Sequence, residues 1–86
     1  KELTENSDED SNRLSVRYEI EESNKAIIFK LPQEYAGSSA EIYVDNRFLL
    51  MATVGKKPDL KINKKSQLGR ELSRELNRKR KVEVRV

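Results

Sequence analysis

Cysteine and histidine are missing from this sequence altogether, and glycine and proline are scarce, with three and two copies. Without cysteine there is no disulfide and no thiolate metal site. Without histidine the usual general base and the commonest metal ligand are gone. The glycines at 37, 55 and 69 stand alone, so no dinucleotide-binding fingerprint exists, and "VGKKPD" lacks the leading Gly and the Ser/Thr of a phosphate-binding Walker loop. No apolar run is long enough for a membrane helix or the core of a signal peptide. An intracellular protein, cytoplasmic or nuclear, is the expectation. The 86 residues suffice for one small domain of marginal stability. The first residue is Lys rather than Met, which points to an excerpt of a longer protein or a processed chain.

Charge is plentiful and unevenly placed. Residues 1–55 hold 6 Lys/Arg against 11 Asp/Glu, and residues 56–86 hold 12 against 4. A split between halves signals an anionic partner, or two halves that attract each other across the fold. Residues 1–12, "KELTENSDEDSN", are too polar to offset the entropy of ordering and read as a disordered acidic tail or linker. Ser7, followed by Asp8, Glu9 and Asp10, fits an acidophilic kinase site.

From residue 13 on, apolar alternation predicts a single small α+β domain: a mostly antiparallel sheet or partial barrel of five to six short strands, one helix, and a closing strand. "LSVRYEI" (14–20) puts Leu14, Val16, Tyr18 and Ile20 on one face, and "EESNK" turns the chain. "AIIFKL" (26–31) points Ile27, Phe29 and Leu31 together. "PQEYAGSS" reads as one helical turn. Strands follow at 40–44, 48–54 and 59–63, with "DNR" turning between the first two. "KVEVRV" (81–86) closes the sheet. "FLLMATV" is apolar on both faces, so its second face must meet another layer or another chain. Tyr43, Leu49 and Met51 are the candidate interface residues.

"GRELSRELNRKRK" (69–81) is the richest segment. A helix is predicted from an N-cap at Ser66 to about Arg80. At about 100° per residue, Leu68, Leu72 and Leu76 form a narrow apolar stripe. Arg70, Arg74 and Arg78 lie almost opposite, with Glu71 and Glu75 between, where Glu71–Arg74, Glu75–Arg78 and Glu75–Lys79 have supportive spacing. An ordinary amphipathic helix accounts for the leucines, the glutamates and the terminal cations. It does not account for the added run of Lys56, Lys57, Lys61, Lys64 and Lys65, offset only by Asp59. A one-signed patch of these lysines with Arg70, Arg74, Arg78, Lys79 and Lys81 is what phosphate contact requires. "RKRK" (78–81) also fits a nuclear-localisation pattern, but it abuts a predicted strand.

Catalytic chemistry finds little support. Pro58-Asp59 with Glu83-Val84-Arg85 departs from metal-dependent nuclease motifs by Arg in place of Lys, and Glu21–Glu22 sits on a turn. "AIIFKLPQEYAGSSAEIYV" (26–44) resembles the strand-Leu-Pro-turn-strand half of AbrB-type swapped-hairpin regulators, without the usual Gly-Asp before the second strand. The resemblance implies an intertwined dimer whose basic loops face DNA. The expectation is therefore a non-catalytic module without cofactor or metal. It binds DNA or RNA through phosphates, with few base contacts because no aromatic can be placed on the surface as a stacking platform. A homodimer or a heteromeric complex would hold it. The alternative is a protein-assembly domain using the hairpin 42–54.

Overall fold

The computed structural model describes residues 13–86. The acidic segment 1–12, with its expected disorder and its serine, lies outside them. The fold is α+β: seven strands in two antiparallel sheets and one helix near the C-terminal end, followed by a closing strand. The barrel is not closed. The strands are β1 (Ser15–Val16), β2 (Glu19–Glu22), β3 (Ala26–Lys30), β4 (Ser39–Val44), β5 (Arg47–Thr53), β6 (Asp59–Asn63) and β7 (Val82–Arg85). A 3-10 turn covers Gln33–Tyr35 and helix α1 covers Gln67–Asn77. The larger sheet has the order β1-β7-β4-β5 and the smaller β2-β3-β6.

One strand was expected over 14–20, but the chain there serves both sheets. It pairs with β7 as β1, bends at Arg17–Tyr18, and pairs with β3 as β2. A bend of this kind is how a chain turns the corner between two packed sheets. It also divides the four apolar residues. Val16 and Tyr18 pack on the core, while Leu14 and Ile20 are exposed. The Tyr18 hydroxyl pins the corner by donating to the carbonyl of Val82 at 2.6 Å, and its ring lies 5.2 Å from that of Phe29. Glu21 and Glu22 belong to β2 rather than to the turn. The turn itself is organised by Ser23 Oγ, which accepts from the amides of Lys25 and Ala26. The Leu-Pro segment resembling AbrB-type units contributes one strand to each sheet: β3 pairs with β2 and β6, and β4 with β5 and β7.

The core forms where the sheets face each other. Ile27, Phe29, Leu60 and Ile62 come from the smaller sheet, and Ala40, Ile42, Leu50, Val82 and Val84 from the larger. Leu72 of α1 is fully buried against them, with Leu76 packed at the margin. The inner face of the apolar hairpin meets the smaller sheet and the helix, whereas Met51 on its second face stays exposed. The outer face does not behave as alternation predicts. Asp45 and Asn46 both take positive φ, 49° and 69°, giving the two-residue hairpin turn whose twist suits flanking strands. The register then runs Val44↔Arg47 and Tyr43↔Phe48, but Ile42↔Leu50. Leu49 is the additional residue of a bulge, half-buried against the core. Phe48, expected on the face of Leu50, stands on the outer face and is 56% exposed.

The helix is seated through its first turn. Ser66 caps it, its Oγ accepting from the amide of Gly69 at 3.0 Å while donating to the carbonyl of Asn63 at 2.7 Å. A β-carbon at Gly69 would overlap that same carbonyl oxygen, so the helix backbone lies directly on the end of β6. The buried face is thus centred on Gly69, Leu72 and Leu76. Leu68, expected in the apolar stripe, falls to the side and is 41% exposed.

The helix ends at Asn77, short of Arg80. Lys79 adopts φ 59°, its amide donates to Leu76 O, and the amide of Arg80 donates to Glu75 O. This is the Schellman arrangement, with lysine where glycine is usual.

Three substitutions test this reading by urea denaturation. Gly69→Ala is expected to destabilise by about 1–3 kcal/mol or more, because backbone must move. Leu72→Ala should cost about 2–5 kcal/mol. Lys79→Gly should instead stabilise by about 0.5–1 kcal/mol, since it relieves the left-handed cost of about 1–2 kcal/mol at the expense of unfolded-state entropy.

Candidate nucleic-acid interface

The cations singled out in the sequence fall in five successive places along the chain. Lys56 and Lys57 lie in the loop after β5, Lys61 faces outward on β6, and Lys64 and Lys65 form the turn into α1. Arg70 and Arg74 project from the helix on the side away from Leu72. Arg78, Lys79 and Lys81 follow its end, all exposed. The closest grouping is at the helix start, where Lys65, Gln67, Arg70, Glu71 and Arg74 line one shallow depression.

Ion pairing divides these groups. Among the described residues the ion pairs are Arg13–Glu41, Lys30–Glu21, Lys64–Glu22, Arg80–Asp45, Arg80–Glu75 and Arg85–Glu83. Of the ten predicted cations, only Lys64 has such a partner, at 2.7 Å. Lys56, Lys57, Lys61, Lys65, Arg70, Arg74, Arg78, Lys79 and Lys81 have no ion-pair partner among the described residues. Glu75 does not pair with Arg78 or Lys79 as its spacing allows; the early end of the helix brings Arg80 back onto it instead. Arg80, absent from the predicted set, also reaches Asp45, whose carboxylate accepts from the amide of Lys81 at 3.2 Å. "RKRK" is thereby folded into a fixed corner.

The outer face of the larger sheet is a second ordered surface, which composition did not reveal. Arg85 lies 3.9 Å above the ring of Tyr43 and bonds Glu83 at 3.2 Å. Ser15 Oγ also donates to Glu83, at 3.1 Å. The Tyr43 hydroxyl donates to Glu41 at 2.7 Å, and Arg13 pairs with Glu41 at 3.4 Å. Tyr43 meets Phe48 edge-on, with centroids 5.8 Å apart and planes at 79°. Met51 shares this face and is 59% exposed, whereas Leu49 has turned toward the core. Of the three expected interface residues, the structure brings together Tyr43 and Met51 and puts Phe48 in the place of Leu49.

Two groups titrate away from their ordinary range. Desolvation works to raise the pKa of Glu83, but hydrogen bonds from Arg85 and Ser15 and the charges of Arg85 and Lys81 outweigh it, and the net direction is down. Burial, and then the charge of Glu83, push Tyr18 up. Among the described residues no cluster of acids could hold a metal ion, and no helix is long and apolar enough to cross a membrane.

Comparison with known proteins gives one distant likeness. The chain is 29% identical over 65 residues to an uncharacterised KH and PIN-domain containing protein of Methanocaldococcus jannaschii. The match covers 76% of this chain and 10% of that protein, so the chain spans only a small part of its relative. No protein-family model matches, and no solved structure matches.

The depressed Glu83 makes a pH prediction. A folded-state carboxylate pKa below the unfolded value contributes stability above that value and loses it as pH falls through the folded pKa. Glu83→Gln should therefore be less stable than the parent at neutral pH. The gap should close on acidification below about pH 4, where carboxylates protonate, as read from paired urea titrations. The raised Tyr18 acts at the opposite end: its contribution is complete below about pH 10 and is lost at higher pH, as its phenol ionises and stops donating to Val82.

Proposed function

We propose that this domain is a non-catalytic, intracellular nucleic-acid-binding module that holds phosphates through α1 and the loop preceding it. The observation that carries the reading is the division of the charges. Glu41, Glu21, Glu22, Glu75 and Glu83 are tied to Arg13, Lys30, Lys64, Arg80 and Arg85, while Lys65, Arg70, Arg74, Arg78 and Lys79, the lysines and arginines of residues 65–79, have no ion-pair partner among the described residues. Such cations neutralise phosphates and so release the counterions condensed on the nucleic acid. Arg70 and Arg74 sit about 6 Å apart along the helix axis, close to the phosphate repeat of an extended strand. The distant relative adds support, because a KH domain is a nucleic-acid-binding module. The KH signature itself does not carry over. The nearest approach to Gly-x-x-Gly is Gly55-Lys56-Lys57-Pro58, which joins two strands rather than two helices.

A second reading, an assembly domain built on the hairpin 42–54, has in its favour the edge position of β5 and the exposure of Phe48 and Met51. It expects the free chain to self-associate or capture a protein partner, and Met51→Lys to abolish that contact without unfolding.

For the leading reading, affinity for a generic oligonucleotide should fall steeply with salt, with a log–log slope of about −0.9 per phosphate neutralised on duplex and about −0.7 on single strands. The triple change Arg70→Gln, Arg74→Gln and Arg78→Gln should flatten the slope while leaving the urea midpoint within experimental error. Absent or salt-independent binding at low salt would remove the proposal.

A further inference from the structure

We infer that the nucleic acid is single-stranded and that Phe48 is the platform on which one of its bases stacks, an inference that rests on the phosphate-binding reading above. Phe48 is the exposed aromatic of the larger sheet, and its position comes from the backbone. Without the bulge at Leu49, alternation from Leu50 would carry the ring to the core face. Tyr43 supports the ring edge-on, and Arg85 covers the ring of Tyr43, so Phe48 is braced from the sheet side.

The ring is linked to the helix cations through Glu71. Arg47, Phe48, Leu49, Glu71 and Glu75 line one depression, and Glu71 is shared with the depression that holds Lys65, Arg70 and Arg74. Arg47 has no ion-pair partner among the described residues, and the charge of Glu75 is offset by Arg80. Glu71 therefore stands as the acid between the basic row and the ring. It repels phosphate, so the backbone keeps to the arginine side and only an uncharged base reaches across to Phe48. A base inside a duplex offers its edge but not its face; an unstacked base in a single strand offers both.

The test uses the whole chain and labelled oligonucleotides of about 12 residues, a length within the usual single-strand site sizes. A mixed-sequence single strand and the corresponding blunt duplex are compared by fluorescence anisotropy at fixed low salt. Single-strand preference is expected. Phe48→Ala should weaken single-strand binding by about 5- to 100-fold, the range that loss of one stacked base produces, with the salt slope unchanged. Phe48→Trp should retain binding, and its indole fluorescence should be quenched on addition of the strand. Equal duplex affinity, with no effect of Phe48→Ala and no quenching of the tryptophan, overturns stacking and leaves the phosphate reading standing. If neither form binds, both fall together. If Phe48→Ala instead dissociates a dimer of the free chain, the ring is a subunit contact and the inference is overturned.

Discussion

The carbonyl of Asn63 at the end of β6 is the point on which the useful geometry of this domain turns. It accepts from the amide and hydroxyl of Ser66, and the helix backbone at Gly69 rests against it. These contacts set both the height and the rotation of α1. With Gly69 facing the sheet, Leu72 enters the core and Leu76 closes its margin. Arg70 and Arg74 are then left exposed on the far side, with no ion-pair partner among the described residues. A larger residue at 69 would lift the helix, shallow the burial of Leu72 and swing the basic row. The sheet end thus determines where the charge points, although it carries none of that charge itself.

Around this junction the molecule separates its electrostatic tasks. Two ion pairs sit where the chain changes direction, Glu22 with Lys64 at the hairpin end beside the helix start and Asp45 with Arg80 where hairpin turn and helix exit meet, while Glu83 with Arg85 lies within β7. Exposed pairs of this kind contribute little individually. Their value here is to keep particular acids away from the unpaired cations. The acid that stays between, Glu71, lines both the depression of Lys65, Arg70 and Arg74 and that of Phe48.

Much of the fold was legible in the sequence because its information is local. Alternation in 26–31 put Ile27, Phe29 and Leu31 on one face, and all three are buried. Ser66 was recognisable as a cap from its place before the helical pattern. What escaped depends on tertiary registration. Two adjacent leucines, Leu49 and Leu50, make a bulge invisible, because either can oppose Ile42 without exposing a polar group. Simple alternation then put Phe48 on the face of Leu50, and the sequence showed no stacking platform. Leu68 misled for a similar reason: the rotation of the helix is fixed by a glycine against a carbonyl, not by the leucine stripe alone. Lys79 gave no sign of its left-handed backbone, since lysine is not the residue that announces a helix stop. The clue to the missed surface was the pairing rule itself, because a two-residue turn at Asp45-Asn46 fixes Tyr43 opposite Phe48.

The order β1-β7-β4-β5 places the last strand of the domain between two earlier ones. Ser15 faces Arg85 in the ladder, and β7 is also the second neighbour of β4. During synthesis the hairpins β2–β3 and β4–β5 can form as they emerge, but the larger sheet stays open along β4 until residues 82–85 have been made. Tyr18, whose hydroxyl anchors on Val82, has no anchor until then. β7 is therefore the strand through which β1 joins the larger sheet, and without it β4 would have an open edge in the middle of that sheet.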